Sequence, residues 1–172
     1  MNAKLLEDRV MVWDAEKGKE LFEKEQAGKL LEDRLELSLI EACLLIEKKA
    51  IKVEGYDFEK FHAYCSEKDP RFGFRYVVYR DLRGRDLPVR TGFKFGCDFR
   101  VYAKGVKPLK RGPKDTKEHT KWIVFTVPEG MSFSFPELSR AVRLAHNIRA
   151  NMLWAVVSGG KVGYYQVEFF KP

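Results

Sequence analysis

Hydrophobic and polar positions repeat with a helical period over much of the first 69 residues, and short β-like runs separate these stretches. The pattern predicts a strand at Arg9–Trp13, a helix at Ala15–Gln26, a helix whose apolar face spans Leu35–Ile46 with Ser38 as its cap, an edge strand at Ile51–Val53 and a helix at Asp57–Glu67. Asp69-Pro70 then breaks the pattern. We therefore predict two domains, residues 1–69 and residues 70–172.

After residue 70 the pattern becomes that of a sheet. Helices are predicted at Phe72–Leu82 and at Pro136–Arg149, where apolar residues recur on one face. The β-rich runs are Val89–Phe93, Asp98–Tyr102, Trp122–Val127, Met152–Val157 and Val162–Phe170. The fold class that follows is α+β: a small N-terminal α/β domain, and then a C-terminal mixed, mostly antiparallel sheet packed with helices.

Composition excludes several classes of protein. The chain has 172 residues, 45% of them hydrophobic, yet its apolar stretches stop far short of the about 20 residues of a membrane span. The N-terminus MNAKLLEDRV lacks the apolar region of a secretory leader. Cys43, Cys65 and Cys97 match neither a disulfide framework nor a CxxC zinc pattern, so reduced thiols in a cytoplasmic protein are expected.

Charge is distributed unevenly between the two predicted domains. Residues 1–69 hold 12 Lys and Arg against 17 Asp and Glu, a net charge of −5, whereas residues 70–172 hold 20 against 8, a net charge of +12. Residues 103–121, a Gly- and Pro-punctuated loop, carry seven Lys and Arg against two acids. Lysines and arginines set against phosphates release condensed counterions, so the second domain is a candidate for binding nucleic acid; a solvated basic face is the alternative.

Three histidines limit the acid–base chemistry that the chain can perform. His62 and His146 lie on predicted helices, where packing or capping roles are expected. His119 lies at the end of the basic loop, just before a strand, where it is a candidate proton donor to a bound phosphate; a structural role stays the alternative. No HExxH, HxxxH or paired-cysteine motif occurs, so neither a metal nor a cofactor is predicted.

Other conspicuous residues have plainer explanations. Asp98 precedes a predicted strand as a lone carboxylate, and Cys97 has no activating base nearby in sequence, so both are expected to be structural. The run Ser158-Gly159-Gly160 is expected to form the turn of a hairpin.

Five segments of the second domain, in order, resemble motifs of archaeal tRNA-intron splicing endonucleases. The most specific reads TGFKFGCDFRVY and ends at Tyr102; the others are YRDLR ending at Arg83, EHTKW around His119, RLAHNIR from Arg143 to Arg149, and the closing GYY ending at Tyr165. Together they cover nearly all of residues 72–172, whereas the first domain resembles the family mainly through LSLIEA at 37–42. The resemblance implies a restriction-endonuclease-like nuclease domain.

The activity implied by the resemblance is metal-free cleavage of precursor tRNA at a bulge–helix–bulge. The ribose 2′-hydroxyl attacks its own phosphodiester and leaves a 2′,3′-cyclic phosphate and a 5′-hydroxyl. The family motifs fall on Tyr102 as the base for the 2′-hydroxyl and on His119 as the acid for the leaving oxygen. One group must accept a proton and another must give one, and a positive field favours the phenolate form of such a tyrosine.

The third family residue is missing. The family carries a lysine directly after the arginine that corresponds to Arg149, and here that position is Ala150. Alanine offers neither charge nor a proton, so the chain lacks the expected cation for the phosphorane at this position. Two explanations stay open, an engineered trapped form of a catalytic chain and a natural non-catalytic, RNA-binding subunit. Retention of Tyr102 and His119 favours the first, and Lys161 or the loop lysines are possible substitutes.

Two more features extend the family resemblance to subunit assembly and RNA binding. The loop Ser158–Gly163 contains Lys161 and none of the aspartates that homo-oligomeric relatives dock into a neighbour, so the expected partner is a second, non-identical subunit with an acidic loop, in a heterotetramer. Arg143 matches a family arginine that stacks on a flipped bulge base. The candidate phosphate contacts are Lys104, Lys107, Lys110 and Arg111.

Overall fold

The computed structural model describes residues 1–92, 96–108 and 119–170. Its contacts divide the chain into two compact units, Met1–Gly73 and Phe74–Pro172. Within the described residues, every helix is too short or too polar to cross a membrane.

The first unit is a five-stranded sheet with three helices. Its strands are β1 (Asn2–Leu6), β2 (Arg9–Val12), β3 (Lys29–Leu30), β4 (Leu35–Ser38) and β5 (Lys52–Val53), and its helices are α1 (Ala15–Glu25), α2 (Leu39–Glu47) and α3 (Phe58–Lys68). The strand order is β3-β4-β2-β1-β5, in which only the β1–β5 pair of these strands is parallel. The prediction of β5 as an edge strand is confirmed.

Local capping chemistry explains where the helices of this unit begin. The side chains of Asp14 and Asp57 accept hydrogen bonds from the backbone N–H groups three residues later, and so cap α1 and α3. Ser38 and Glu41 form a capping box at the start of α2, which confirms Ser38 as the cap. The Glu41 carboxylate is buried and accepts hydrogen bonds from the backbone N–H groups of Ser38 (2.9 Å) and Gly28 (3.0 Å), which ties α2 to the preceding loop.

One prediction for the first unit is wrong. The sequence pattern predicts Leu35 and Leu37 on the apolar face of a helix, but they lie on β4, where both are fully buried and alternate with half-buried Glu36 and Ser38. A period of two directly before a capping box indicates a strand that runs into a helix, because the capping residue itself has extended backbone.

The second unit contains a five-stranded sheet with strand order β10-β9-β8-β7-β6. Its strands are β6 (Val89–Thr91), β7 (Phe99–Val101), β8 (Trp122–Pro128), β9 (Asn151–Ser158) and β10 (Lys161–Val167), and its helices are α4 (Phe72–Gly84), which begins at the unit boundary, and α5 (Phe135–Asn147). The β8–β9 pair is parallel and the other three pairs are antiparallel, which confirms the mixed, mostly antiparallel sheet.

Helix α5 covers one face of this sheet. Ile123 on β8, Met152 on β9 and Ala145 on α5 form a buried cluster, against which Leu144 and Trp154 pack. Parallel neighbours cannot be joined by a tight turn, so α5 provides the crossover between β8 and β9. Apolar burial of this face sets which side chains of β8 and β9 point toward α5.

Strands β9 and β10 form the expected hairpin. Ser158 pairs with Lys161, and the two turn residues, Gly159 (φ 53°) and Gly160 (φ 74°), both have left-handed backbone. That combination is the two-residue turn preferred by hairpins, and glycine adopts it without strain.

Asp98 and the cysteines have the structural roles that the sequence predicts. The carboxylate of Asp98 pairs with the guanidinium of Arg75 (3.2 Å) and accepts a hydrogen bond from the backbone N–H of Thr126 (2.8 Å). Cys43, Cys65 and Cys97 are buried reduced thiols. Burial raises the pKa of Cys97 to about 11 and that of Cys65 to about 12, so neither is an activated nucleophile.

Candidate active site

The three positions assigned from the family motifs lie at one end of the second sheet. β7 ends at Val101, β8 begins at Trp122 and β9 begins at Asn151. Because β7 is antiparallel to β8 and β8 is parallel to β9, the end of β7 and the starts of β8 and β9 share one edge. Tyr102, Ala150 and the segment from His119 to Lys121 are therefore neighbours at this edge.

Backbone hydrogen bonds extend the sheet to this edge. The N–H of Lys121 donates to the carbonyl of Val101, and the N–H of Asn151 donates to the carbonyl of Lys121, each at 2.9 Å. Lys121 is thus the residue between the end of β7 and the start of β9. We call this end of the sheet, where Tyr102, Lys121 and Ala150 lie beside one another at the ends of neighbouring strands, the site edge.

Tyr102 and His119 occupy different environments there. Tyr102 is 3% exposed, and its N–H donates to the carbonyl of Pro88 at 3.0 Å, which fixes its backbone. His119 is exposed and lies three residues before β8. An exposed imidazole and a buried phenol near the same end of the sheet are residue types that can accept and donate protons.

Residue 150 is positioned by the C-terminus of α5. After the cap residue Ile148, Arg149 has left-handed backbone (φ 55°), its N–H donates to the carbonyl of His146 (3.0 Å), and the N–H of Ala150 donates to the carbonyl of Ala145 (2.9 Å). This pair of hydrogen bonds is a Schellman motif, and its usual apolar contact is present, since Ala150 packs against the cluster that contains Ala145. The backbone therefore fixes the position of residue 150 independently of its side chain.

An open depression surrounds Ala150. It is lined by His146, Asn147, Arg149, Ala150 and Asn151. Of the packing or capping roles expected for His146, packing is wrong because its side chain is exposed, whereas a basic residue in the last turn of α5 fits the capping role. Helical periodicity could not show this, but the position of His146 on the motif that ends at Arg149 was a signal that it faces the site.

The candidate RNA contacts are placed differently from one another. Arg143 is exposed on α5, and its Nη2 donates to Oγ of Ser139 at 3.2 Å. Lys104 and Lys107 are exposed in the loop after Tyr102, where the ammonium of Lys104 pairs with Asp86 at 2.9 Å. Lys110 and Arg111 lie outside the described residues.

Lys161, a possible substitute for the missing lysine, lies far from Ala150. β9 runs from Asn151 at the site edge to Ser158, which pairs with Lys161 at the opposite end of the strand. At about 3.3 Å per residue, seven residues separate the two ends by about 23 Å.

Two other motif segments meet on α4 and β10. The hydroxyl of Tyr164 donates to the carboxylate of Asp81 at 2.7 Å, and the Arg85 guanidinium pairs with the same carboxylate at 2.8 Å. Burial, and then the bond to Asp81, raise the pKa of Tyr164 above its usual range. Although burial opposes it, the bonds from Arg85 and Tyr164 hold the pKa of Asp81 below its ordinary value. These residues brace the unit rather than the site edge.

A group of three or more His, Cys, Asp or Glu side chains that could hold a metal ion is absent from residues 1–92, 96–108 and 119–170.

Comparison with known families decides the relationship. Residues 72–164 match the family described as "tRNA intron endonuclease, catalytic C-terminal domain", and residues 1–62 match "tRNA intron endonuclease, N-terminal domain". The chain belongs to the tRNA intron endonuclease family. The first match spans all three positions of the site edge and His119, and the resemblance seen in the motifs is confirmed.

Archaeal proteins named tRNA-splicing endonuclease are similar over most of the chain. One from Thermococcus gammatolerans is 38% identical, and the match covers 95% of each protein. One from Nanoarchaeum equitans is 38% identical over 84% of this chain and 96% of the relative. One from Methanococcoides burtonii is 38% identical over 99% of this chain, which spans 48% of that longer relative. The chain thus spans about half the length of some relatives and nearly all of others.

Proposed function

We propose that this chain is a subunit of an endonuclease that cleaves precursor tRNA at bulge–helix–bulge sites. The observation that carries the proposal is the gathering of Tyr102, His119 and residue 150 around one sheet edge, although 48 residues separate the first from the last. Family membership supports the substrate class, and the net charge of +12 over residues 70–172 supports binding to a polyanion.

The proposed reaction needs no metal. The Tyr102 phenolate takes the proton of the ribose 2′-hydroxyl, whose oxygen forms a bond to phosphorus. The bond from phosphorus to the 5′-oxygen breaks, and the protonated His119 gives its proton to that oxygen. The products are a 2′,3′-cyclic phosphate and a 5′-hydroxyl, and no oxidant or reductant takes part.

Ala150 is expected to limit the rate rather than the affinity. A cation that contacts the phosphorane acts mainly in the transition state, so its absence lowers the rate of the chemical step. Restoring lysine with Ala150→Lys should raise the single-turnover rate at saturating RNA by at least about 100-fold, the scale of one oxyanion-stabilising donor. The dissociation constant for RNA should change little.

The test uses the chain together with an acidic-loop partner subunit and a precursor tRNA. His119→Ala, combined with Ala150→Lys, is the matched control and should abolish the gain. An unchanged rate after Ala150→Lys would contradict the assignment of residue 150, and cleavage that does not need His119 would contradict the proposed reaction.

A non-catalytic, RNA-binding subunit is the second candidate. The packing of Ala150 against the cluster that contains Ala145 favours it, because an apolar residue suits the Schellman contact at this position. This candidate predicts that RNA binds with ordinary affinity and that neither the natural chain nor its Ala150→Lys variant cleaves it.

The proposed assembly is a heterotetramer. The turn of the β9–β10 hairpin presents Gly159, Gly160 and Lys161 without an acidic residue, so this chain is proposed to receive an acidic loop from a non-identical partner. Light scattering should find at most a dimer of the chain alone and a heterotetramer after the partner is added. A stable homotetramer of the chain would contradict this assembly.

A further inference from the structure

We propose that Lys121 supplies the cation that position 150 lacks, less effectively than a lysine at position 150 itself would. The inference rests on the proposed cleavage reaction and adds a catalytic residue to it. Lys121 would donate a hydrogen bond from its ammonium to a non-bridging phosphate oxygen while negative charge develops there. The ammonium keeps its proton throughout, so the proton balance between Tyr102 and His119 is unchanged.

The backbone places Lys121 beside both of the other positions on the site edge. Its N–H is bonded to the end of β7, which Tyr102 follows, and its carbonyl accepts the N–H of Asn151, which Ala150 precedes. The side-chain amide of Asn151 also donates to this carbonyl, at 3.4 Å. Neighbouring strands lie about 4.8 Å apart, so the backbone of Lys121 is one strand spacing from Tyr102 on one side and from Ala150 on the other.

Strand alternation gives Lys121 the same face as residue 150. Ile123 and Met152 are register partners on the face covered by α5. Residues two positions earlier, Lys121 and Ala150, belong to that same face, because successive side chains of a strand point to opposite faces. The side chain of Lys121, just before β8, therefore starts close to position 150, where the family lysine starts just before β9.

The Lys121 side chain has the reach and the freedom that this role needs. The residue is exposed, and its ammonium lies 4.3 Å from the centroid of the ring of Trp122, a residue of the opposite face, so the side chain must leave this contact to act beside residue 150. This contact keeps a charged group at the sheet edge without a carboxylate partner among the contacts described there. A cation–π contact at an exposed site is weaker than a charge-assisted hydrogen bond, so a phosphate can draw the ammonium away from the ring.

The other described cations near this edge are less well placed. Lys104 pairs with Asp86, and Lys161 lies at the opposite end of β9. Arg149 lines the depression around Ala150 but follows α5 instead of lying between the two strands. Arg149 is therefore the competing source of charge that the experiment must distinguish.

The experiment measures single-turnover cleavage at saturating precursor tRNA, with the acidic-loop partner present. Lys121→Gln should slow the natural chain by at least about 100-fold, while RNA affinity changes by less than the loss expected for one phosphate contact. Lys121→Arg should retain most of the rate because it keeps the charge. Lys161→Gln, a matched control at the opposite end of β9, should leave the rate unchanged.

A double-mutant cycle with residue 150 separates a shared role from a merely structural one. If Lys121 replaces the missing lysine, Lys121→Gln should cost far less in the Ala150→Lys background than in the natural chain. Thermal unfolding of each variant shows that the fold is retained, since the backbone bonds of Lys121 do not depend on its side chain.

Four results would overturn the inference. One is an unchanged cleavage rate for Lys121→Gln, and another is an equal loss of rate from Lys121→Gln with and without Ala150→Lys. The third is that Arg149→Gln, and not Lys121→Gln, loses less rate when Ala150→Lys is present. A natural chain that is inactive while Ala150→Lys is active would also refute it and leave the proposed function standing. Inactivity of both chains would count against the proposed function itself.

Discussion

The buried ion pair between Arg75 and Asp98 makes a sharp prediction about stability. The Arg75 and Asp98 side chains are only 7% and 6% exposed, and the Asp98 carboxylate also accepts the backbone N–H of Thr126 on β8. Asp98→Asn keeps an oxygen for the Thr126 bond but removes the negative charge. The guanidinium of Arg75 is then left buried opposite a neutral amide.

Removing one partner of a buried pair costs about 3–5 kcal/mol, because the remaining charge stays desolvated. For a chain of 172 residues, each 1 kcal/mol corresponds to about 2–4 °C in Tm. Asp98→Asn should therefore lower Tm by about 6–20 °C. The exposed pair of Lys104 with Asp86, at 68% and 73% exposure, is the matched control, and Asp86→Asn should cost at most about 1 kcal/mol.

Differential scanning calorimetry and urea titration of the two single variants test this difference. A third protein, with Arg75→Met and Asp98→Asn together, removes the buried guanidinium as well and should recover part of the lost stability. The loss in Asp98→Asn should persist at high salt, since buried charges are poorly screened. Equal, small effects of Asp98→Asn and Asp86→Asn would refute the reasoning.

Three more outcomes can be checked. Because the pKa of Tyr164 is raised in the folded protein, its protonated hydroxyl stabilises the fold below the ordinary pKa near 10, and this stabilisation is lost as the pH rises above that value. The difference in unfolding free energy between the natural chain and Tyr164→Phe should therefore shrink between pH 8 and 11, and a constant difference contradicts this. Gly28→Ala should lower Tm more than Gly105→Ala. Both glycines have left-handed backbone, but only at Gly28 would the new Cβ lie 2.6 Å from a backbone oxygen. Equal losses of Tm would contradict this prediction. Lys107→Ala should reduce the slope of log K for RNA against log salt by roughly 0.7–0.9, whereas a solvated loop predicts no change.

Elements that depend on local chemistry were predictable from the sequence. The starts of α2 and α3 follow from Ser38 and Asp57, whose side chains cap the helices wherever the rest of the chain lies. Strand β1 was missed because Asn2–Leu6 lacks β-branched and aromatic residues. It exists through pairing with β2 on one side and β5 on the other, and such partners are not visible in a local pattern.

The residues of the candidate site could be predicted from the sequence, but their spatial arrangement could not. Motifs identified Tyr102, His119 and position 150, yet their meeting depends on the parallel β8–β9 pair and on the crossover through α5. The role proposed for Lys121 rests on the register of β8 with its neighbours, which no motif encodes. The bond between Tyr164 and Asp81 joins residues 83 positions apart and was equally invisible.

The burial of every cysteine has a practical consequence for following this protein at work. Cys43, Cys65 and Cys97 are at most 5% exposed, and the thiols of Cys65 and Cys97 ionise only far above neutral pH. Maleimide dyes react with exposed thiolates, so the natural chain should remain unlabelled in the native state. A single cysteine introduced at Lys107 would then carry a fluorophore with no need to remove the native cysteines first. The approach of RNA to the basic loop would become an optical signal.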